Sequence, residues 1–294
     1  MAKKLIMRII ALLILLLVAV LAPAKADPAR WLIKDKDTTI ILFGTLHALR
    51  PGTNWMSPLM REDLRQIQTL YLEVAPDQKE PAIIGPLVQR FGLLTEPIAL
   101  NDRIGDALTL ETRQAGLALG LDPRQFDAMR LWLVGSTLAS ASFTAAGYSQ
   151  DNGVEDGLIA TVKRAGGTVA GLETIEQQLG VFASLSLEEE TAVLRDTLDQ
   201  IDTADDYLAN LSAAYLAGDV SKVADILNTS FSKTPALYDK AIVARNRDWA
   251  LKIEQLLERP GVFAVAVGTG HLAGENNLID FLNLLAINVT RLQR

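Results

Sequence analysis

The chain has 294 residues, a formal net charge of −7 at pH 7 and no cysteine. The lack of cysteine excludes disulfide bonds, thiolate metal sites and a cysteine nucleophile. The acidic balance disfavours nucleic acid as a partner and offers no basic patch for anionic lipid.

The N-terminal segment has the pattern of a secretory signal peptide. Three basic residues precede an apolar stretch over 9–22, and the small residues Ala24 and Ala26 follow it. Because a bilayer-spanning helix needs about 20 apolar residues, we predict a signal peptide over 1–26 that is cut after Ala26. The protein would then be periplasmic or secreted, without a stable membrane span. An uncleaved anchor is the alternative. The mature chain, 27–294, carries a net charge of −11, because the removed segment holds four basic residues and no acidic ones.

The first part of the mature chain predicts a βαβ unit. Residues 38–44 form a β-branched and apolar run closed by Gly44, which is typical of a strand covered on both faces. Residues 57–67 have helical spacing, and 68–76 form a second short strand. The two strands of such a unit lie parallel, and open α/β proteins bind ligands at the carboxyl edge of the sheet.

The rest of the chain adds two strands and a long helical section. A helix over 154–165 leads into a strand over 166–173, and 261–268 forms a fourth strand. Helical spacing also covers 103–120, 123–147, 187–217, 219–229 and 235–259. We therefore predict an α/β fold with a central, mostly parallel sheet, βαβ units at both ends of the chain and a large helical middle section. A single domain over 27–294 would carry helical insertions around 103–150 and 187–259.

Polar residues follow all four predicted strands. The chain has only two histidines, His47 and His271, and both end a Gly-Thr-x-His motif after a strand. Glu73 and Glu173 lie at the ends of the other two strands. Because parallel strands end at one edge, these four side chains are predicted to be neighbours. A lone histidine in such a turn is more often structural, but two matched motifs favour a functional site.

Other residues near these strand ends are candidates for the site. Gly44, Gly268 and Thr269 are predicted to contact substrate, because glycine lets a ligand approach the backbone closely. Arg245 and Asn246 lie in a helix shortly before the fourth strand. An arginine there could bind a carboxylate with two hydrogen bonds, and an ordinary surface arginine explains the pattern equally well.

Several segments together resemble the TraB/GumN family. They are FGTLHALRPGTNW (43–55), LYLEV (70–74), GVEDGLIATVKRAGGTVAGLET (153–174), ARNRDWA (244–250) and VAVGTGHLAGENNLIDFL (265–282). That family includes exported GumN-like proteins, TraB pheromone-shutdown proteins and Tiki metalloproteases, and it is distantly similar to erythromycin esterases and ChaN-like haem-binding lipoproteins. The sequence departs from the usual pattern of that family at two places. Glu155 stands where the family often has Asp, and Arg-Leu-Trp at 130–132 replaces a frequent Lys-Pro-Trp.

The resemblance implies roles for the candidate residues. His47 and His271 would be metal ligands or catalytic histidines, Glu73 the site carboxylate, and Arg245 with Asn246 the Arg-Asn pair. Our leading hypothesis is an exported metal-dependent hydrolase, with a peptidase as one form of it, acting on a peptide or small-molecule substrate. Zinc, manganese or cobalt would be held by both histidines and Glu73, with Glu173 as the second choice of carboxylate.

The chemistry of this hypothesis assigns the remaining roles. The metal ion would acidify a bound water, and an unligated glutamate would act as general base. Arg245 would stabilise the developing oxyanion. The HExxH motif of zincins is absent from the sequence.

Two alternatives stay open. One is a metal-free, esterase-like hydrolase in which one histidine is the general base and glutamates orient it. The other is a periplasmic protein that binds haem or a small molecule without chemistry.

Overall fold

The computed structural model describes residues 28–292, so the predicted signal peptide lies outside the described residues. One mixed sheet has the order β4-β3-β5-β2-β1-β6. Its strands are β1 (Arg30–Lys34), β2 (Thr38–Thr45), β3 (Thr69–Val74), β4 (Thr168–Glu173), β5 (Gly261–Gly268) and β6 (Val289–Arg291). Strands β4, β3, β5 and β2 are parallel neighbours, whereas β1 runs antiparallel to β2 and β6. The predicted α/β class with a mostly parallel sheet is confirmed.

Helices occupy most of the rest of the described chain. The α-helices are α1 (Pro58–Arg65), α2 (Pro81–Gly92), α3 (Leu100–Ala118), α4 (Leu131–Ala145), α5 (Val154–Arg164), α6 (Ile175–Ala183), α7 (Leu187–Ile201), α8 (Ala204–Leu216), α9 (Val220–Phe231), α10 (Pro235–Tyr238), α11 (Ala244–Leu256) and α12 (Leu278–Leu284). Short 3₁₀ segments span Pro76–Lys79, Pro123–Ala128, Gln150–Asn152 and Thr269–Leu272, and a π-helical turn spans Asp239–Val243. Between residues 28 and 292, no helix combines the length and apolarity needed to cross a membrane.

Some elements were not predicted from the sequence. Strands β1 and β6 and helices α2, α6 and α12 are additions, and the predicted helix over 187–217 is two helices, α7 and α8. Helix α6 begins with a capping box in which Thr174 and Gln177 satisfy each other's backbone N–H groups. Helix α12 begins with the equivalent pair, Asn277 and Asp280. Both pairs are sequence signals for helix starts. Strand β6 has three residues, which is too short for any periodicity to be visible.

The sheet is covered on both faces, which explains the continuous apolar runs of its strands. Along β2, Ile41 and Phe43 pack into a cluster with α1, α5, α8 and α9. The alternating residues Ile40 and Leu42 pack into a second cluster with α11 and α12. A third cluster joins α3, α4 and α7 away from the sheet. The hydroxyl of Tyr215 in α8 donates to the carbonyl of Gly44 at 3.0 Å, and this bond ties the helical section to the edge of the sheet.

Candidate active site

The carboxyl edge of the sheet brings the four predicted strand-end residues together. Glu173 ends β4, Glu73 lies near the end of β3, and His271 and His47 follow β5 and β2. These four strands are adjacent in the sheet, in that order. In the register, Glu173 pairs with Val74, and Thr45 pairs with Gly268. The prediction that the residues would be neighbours depended only on strand direction, and the structure places them side by side.

Gly268, at the end of β5, lies where three of these side chains meet. A Cβ atom built on Gly268 would lie 3.2 Å from Glu73 Oε1, 3.7 Å from His47 Nε2 and 3.8 Å from His271 Cδ2. The backbone of Gly268 is not strained, with φ −48° and ψ 136°. A Cβ here would be tight against Glu73 Oε1 and in ordinary van der Waals contact with the two rings, so glycine leaves open the space that the three groups share.

His47 is oriented by Glu155, at the start of α5. The Nδ1 atom of His47 lies 2.6 Å from Glu155 Oε1. The His47 side chain is 64% exposed, towards two cavities, whereas that of Glu155 is 17% exposed. Partial desolvation lowers the pKa of His47, but the hydrogen bond and negative charge of Glu155 outweigh it and raise that pKa to about 8. The close approach of the start of α5 to His47 depends on Gly153, where a Cβ would lie 2.7 Å from the carbonyl oxygen of His47.

Arg245, in α11, joins the two glutamates to His271. Its Nη2 atom donates to Glu73 Oε2 and to Glu173 Oε1, both at 2.6 Å, and its Nε atom donates to Glu173 at 3.1 Å. Its Nη1 atom donates to the carbonyl of Ala241 at 2.9 Å and to His271 Nε2 at 3.2 Å. A guanidinium has five N–H donors, and all five therefore have partners inside the protein.

The two carboxylates of this network differ in their pKa. Burial raises the pKa of Glu73, but the charge of Arg245 and the N–H of Gly268, which donates to Oε1 at 2.7 Å, hold it below its usual range. Burial and the neighbouring charge of Glu73 raise the pKa of Glu173 above its usual range, although Arg245 opposes them. The amide of Gln178 in α6 donates to both carboxylates, at 3.2 and 3.3 Å.

His271 is a buried, neutral ring whose tautomer follows from its partners. Because the Arg245 guanidinium only donates, His271 Nε2 accepts from it, and the ring proton lies on Nδ1. That Nδ1–H donates to Asn246 Oδ1 at 2.7 Å, and the amide nitrogen of Asn246 donates to the carbonyl of Asn276. Burial, aided by the charge of Arg245, lowers the pKa of His271 to about 3. Trp249 packs against both the His271 ring and the guanidinium, with separations of 4.5 Å.

Two cavities meet at His47 and Glu73. The first, of about 540 Å³, is lined by both side chains together with Arg245, Thr269 and His271 and by residues of the helical section. The second, of about 400 Å³, is lined mostly by polar and charged residues. The polar side chains around it are Glu73, Lys79, Gln150, Asp151, Glu155, Asp156 and Gln178, with His47 at the boundary.

The predicted site residues fall into two groups. His47, Glu73, Arg245, His271, Gly268 and Thr269 line the first cavity. Gly44, Glu173 and Asn246 do not appear in its wall: Gly44 faces the side chain of Thr269, Glu173 holds Arg245, and Asn246 is fully buried against His271. Their contacts are with other protein groups of the site and not with the wall of the first cavity.

Two residues of the site were not predicted. Glu155 lies in the first turn of α5, where acidic residues are common because they suit the helix dipole, so its position carried no signal specific to the site. Gln178 lies in α6, a helix that was itself not predicted, and its capping box was the available signal.

The predicted metal ligands are close together but unequally available. His47 Nε2 and Glu73 Oε1 both face the point above Gly268. The Nε2 lone pair of His271 accepts from Arg245, and its Nδ1 carries the proton. Across residues 28–292, no group of three or more His, Asp or Glu side chains is arranged to hold a metal ion. Within this set Glu73 Oε1 already accepts from the Gly268 N–H and His271 Nε2 accepts from Arg245, so the three residues do not form a complete set of metal ligands.

Comparison with known proteins places this site in a family. The sequence model of the TraB/PrgY/gumN family matches residues 29–291. The chain belongs to this family. The uncharacterized protein YbaP of Escherichia coli (strain K12) is 26% identical over 244 residues, which cover 82% of this chain and 86% of YbaP. The protein of the same name from Shigella flexneri gives the same values. No solved structure matches this chain significantly.

In this TraB/PrgY/gumN chain, the family match spans both Gly-Thr-x-His motifs and the helix that carries Arg245 and Asn246. The structure provides one exposed histidine paired with a carboxylate, and beside it a rigid network of charged groups with no unpaired N–H on Arg245. An arrangement of this kind can transfer a proton at His47 while its neighbours hold the geometry.

Proposed function

We propose that the protein is a hydrolase in which His47 acts first as general base and then as general acid. The observation that carries the proposal is the pairing of His47 Nδ1 with Glu155 while Nε2 faces the cavity beside Glu73. The substrate would be an ester or amide of a peptide or small molecule. Of the alternatives that the sequence left open, this geometry favours the metal-free hydrolase.

The steps follow from the hydrogen bonds of His47. In the neutral ring the proton lies on Nδ1 and is donated to Glu155, so Nε2 carries the lone pair. Nε2 removes a proton from a water molecule as its oxygen attacks the substrate carbonyl carbon. The C–O or C–N bond then breaks as the imidazolium returns that proton to the leaving group. The carboxylate of Glu155 stabilises the imidazolium between the two transfers.

A metal-dependent hydrolase is the second candidate. What favours it is the approach of His47 Nε2 and Glu73 Oε1 to one point. Zinc, manganese or cobalt there would acidify a water and polarise a carbonyl. With His271 bonded to Arg245, the three-ligand set is incomplete, so metal binding requires Arg245 to release His271.

One experiment separates these candidates. The protein is purified without chelator, half is dialysed against EDTA, and both halves are assayed on chromogenic esters and aminoacyl anilides alongside metal analysis. We expect equal activity in both halves and a loss of about 10²–10⁴ in kcat for His47→Gln. The control is Glu176→Gln, which removes a half-exposed surface carboxylate paired with Arg90 and should leave the rate unchanged.

The other outcomes have distinct meanings. Activity that is lost on dialysis and restored by zinc, manganese or cobalt would establish the metal-dependent candidate and contradict ours. The absence of hydrolysis on every substrate, together with saturable binding of haem or a small molecule, would favour the non-enzymatic alternative.

We also propose that the protein is exported to the periplasm or beyond. The basic, apolar and small-residue succession over 1–26 supports this proposal. N-terminal sequencing of the protein from the exported fraction should begin at Asp27. An intact Met1 on a membrane-bound product would contradict cleavage and indicate an anchor.

A further inference from the structure

The first cavity has an apolar wall above a charged floor. Its charged and imidazole side chains are His47, Glu73, Arg245 and His271, which form the floor; Glu73 and the two rings lie beside Gly268, and Arg245 is bonded to Glu73 and His271. Most of the remaining wall comes from the helical section, the rest from residues that follow β2 and β5, and none of these wall residues is charged. Its largest apolar members are Phe143, Phe182, Leu208, Leu211, Leu227 and Phe231.

Several of these side chains are only partly buried by the rest of the protein. Phe143, Phe182, Leu227 and Phe231 are only half-buried, although each is large and apolar. They come from α4, α6 and α9, three helices on different sides of the cavity. Half-exposed apolar groups that converge on one enclosed space are typical of a ligand pocket, and about 540 Å³ lies within the usual range for one.

When His47 is neutral, as the general base must be, the floor disfavours a negatively charged ligand group. The five N–H donors of Arg245 are all bonded within the protein, so none is free to bind a carboxylate. Glu73 is ionised and lies at the same floor, where it would repel an anion. A charged group deeper in the cavity would face apolar walls without a partner, which is costly.

We propose that the substrate carries an uncharged, apolar acyl group, and that this group occupies the first cavity while its carbonyl lies beside His47. The proposal rests on the hydrolase function above and specifies its substrate class. Because the second cavity is polar and also borders His47, the attacking water approaches from that side. The helical section, and not the sheet, then selects the substrate.

The first test measures binding alone. The probe is N-phenyl-1-naphthylamine, an uncharged apolar dye whose fluorescence rises in apolar surroundings. We expect one saturable site for each chain. Ser212→Phe places a ring inside the cavity and should weaken binding at least about tenfold, because the space for the dye is lost. Ser221→Phe, at an exposed position outside the cavity, is the matched control and should change binding less than about twofold.

A second variant keeps the test informative if circular dichroism shows that Ser212→Phe does not fold. Phe143→Asp puts a carboxylate in the wall and should also weaken dye binding at least about tenfold. Dye binding that is absent, or that neither wall variant changes, would overturn the proposal.

The second test measures specificity. Among p-nitrophenyl esters, kcat/KM should rise at least about tenfold from acetate to octanoate, because the longer chain buries more apolar area. The rise should disappear in Ser212→Phe, and an ester whose acyl chain ends in a carboxylate should be a poor substrate. Dye binding without hydrolysis would retain the cavity assignment and reject the hydrolase. Hydrolysis with no preference for longer chains and no dye binding would retain the hydrolase and reject the apolar acyl group.

Discussion

The two histidines occupy matching motifs, but their pKa values are shifted in opposite directions. His47 is exposed to the cavities and paired with Glu155, which raises its pKa to about 8 despite partial desolvation. His271 is buried between Arg245 and Trp249, and burial lowers its pKa to about 3. At neutral pH only His47 is poised to take up and release a proton. The sequence motif does not distinguish them, since the difference comes from residues that lie elsewhere in the chain.

The pH dependence of hydrolysis tests the role of His47. As general base it must be neutral, so kcat/KM should rise with pH and level off above about 8. Glu155→Gln removes the bond and charge that raise the pKa, so the midpoint of the rise should move to lower pH. The limiting rate should fall as well, because the ring loses the carboxylate that stabilises the imidazolium. The measurement is a pH profile of kcat/KM for both proteins.

A substitution of Lys79 should shift the midpoint of that pH profile in the opposite direction, which makes it a control. Its positive charge lowers the pKa of His47, so Lys79→Gln should move the midpoint to higher pH. Equal midpoints in the parent, Glu155→Gln and Lys79→Gln would show that another group titrates, and the assignment of His47 as the base would be wrong.

Among the secondary-structure elements, the ends of four strands and the irregular start of one helix position the residues of the site. Four parallel strands deliver His47, Glu73, Glu173 and His271 to one edge. The π-helical turn over Asp239–Val243 precedes α11, and such turns are frequent at functional sites. Directly after it, the consecutive residues Arg245 and Asn246 contact the two ring nitrogens of His271. These contacts hold the ring in a single tautomer.

Gly268→Ala tests the importance of the shared point at the end of β5. The added methyl would lie 3.2 Å from Glu73 Oε1 and 3.7 Å from His47 Nε2. We expect a loss of about 10² in kcat, because small displacements of reacting groups are costly. The melting temperature should change little, since the backbone angles of Gly268 suit alanine.

A helical glycine gives the matched control. Gly85, in α2, has no atom within 4 Å of the place where a Cβ would stand. Gly85→Ala should therefore keep full activity. If Gly268→Ala is equally active, the point above Gly268 is not where the reaction takes place.

At the scale of the whole molecule, the buried charge network couples stability to pH. The folded-state pKa of His271, about 3, lies below its ordinary value of 6.5, so the unfolded chain binds one more proton between these values. The free energy of unfolding should therefore fall by about 1.4 kcal/mol for each pH unit between pH 6 and 5 on account of His271. His47 is largely protonated in both states there and contributes little slope. The stability that His47 contributes to the folded state is instead lost as the pH rises from 6.5 through about 8.

Urea titrations of two variants measure these contributions. His271→Gln should remove most of the slope between pH 6 and 5, whereas His47→Gln should keep it. Between pH 6.5 and 8, His47→Gln should remove the decline in stability with rising pH, and His271→Gln should keep that decline. The same slope in all three proteins between pH 6 and 5 would contradict a neutral, buried His271.

The sequence predicted the part of the fold that depends on local patterns. The strands over 38–44, 166–173 and 261–268 agree with β2, β4 and β5 to within two residues at their ends. A strand buried on both faces needs a continuous apolar run, and such a run is visible in the sequence alone. Strand β6 and helix α6 were missed for different reasons. The first is too short to show a pattern, and the second was marked only by its capping box.

By itself, the sequence determined the four parallel strands and the residues at their ends, because the direction of a βαβ unit follows from its connections. Only the tertiary structure decided how those residues are used. Glu155 meets His47 across 108 positions of the chain, and Arg245 meets Glu73 across 172. No local pattern encodes such contacts, since they depend on where whole helices pack against the sheet. The same packing fixes the tautomer of His271, removes every free donor from Arg245 and encloses the apolar cavity.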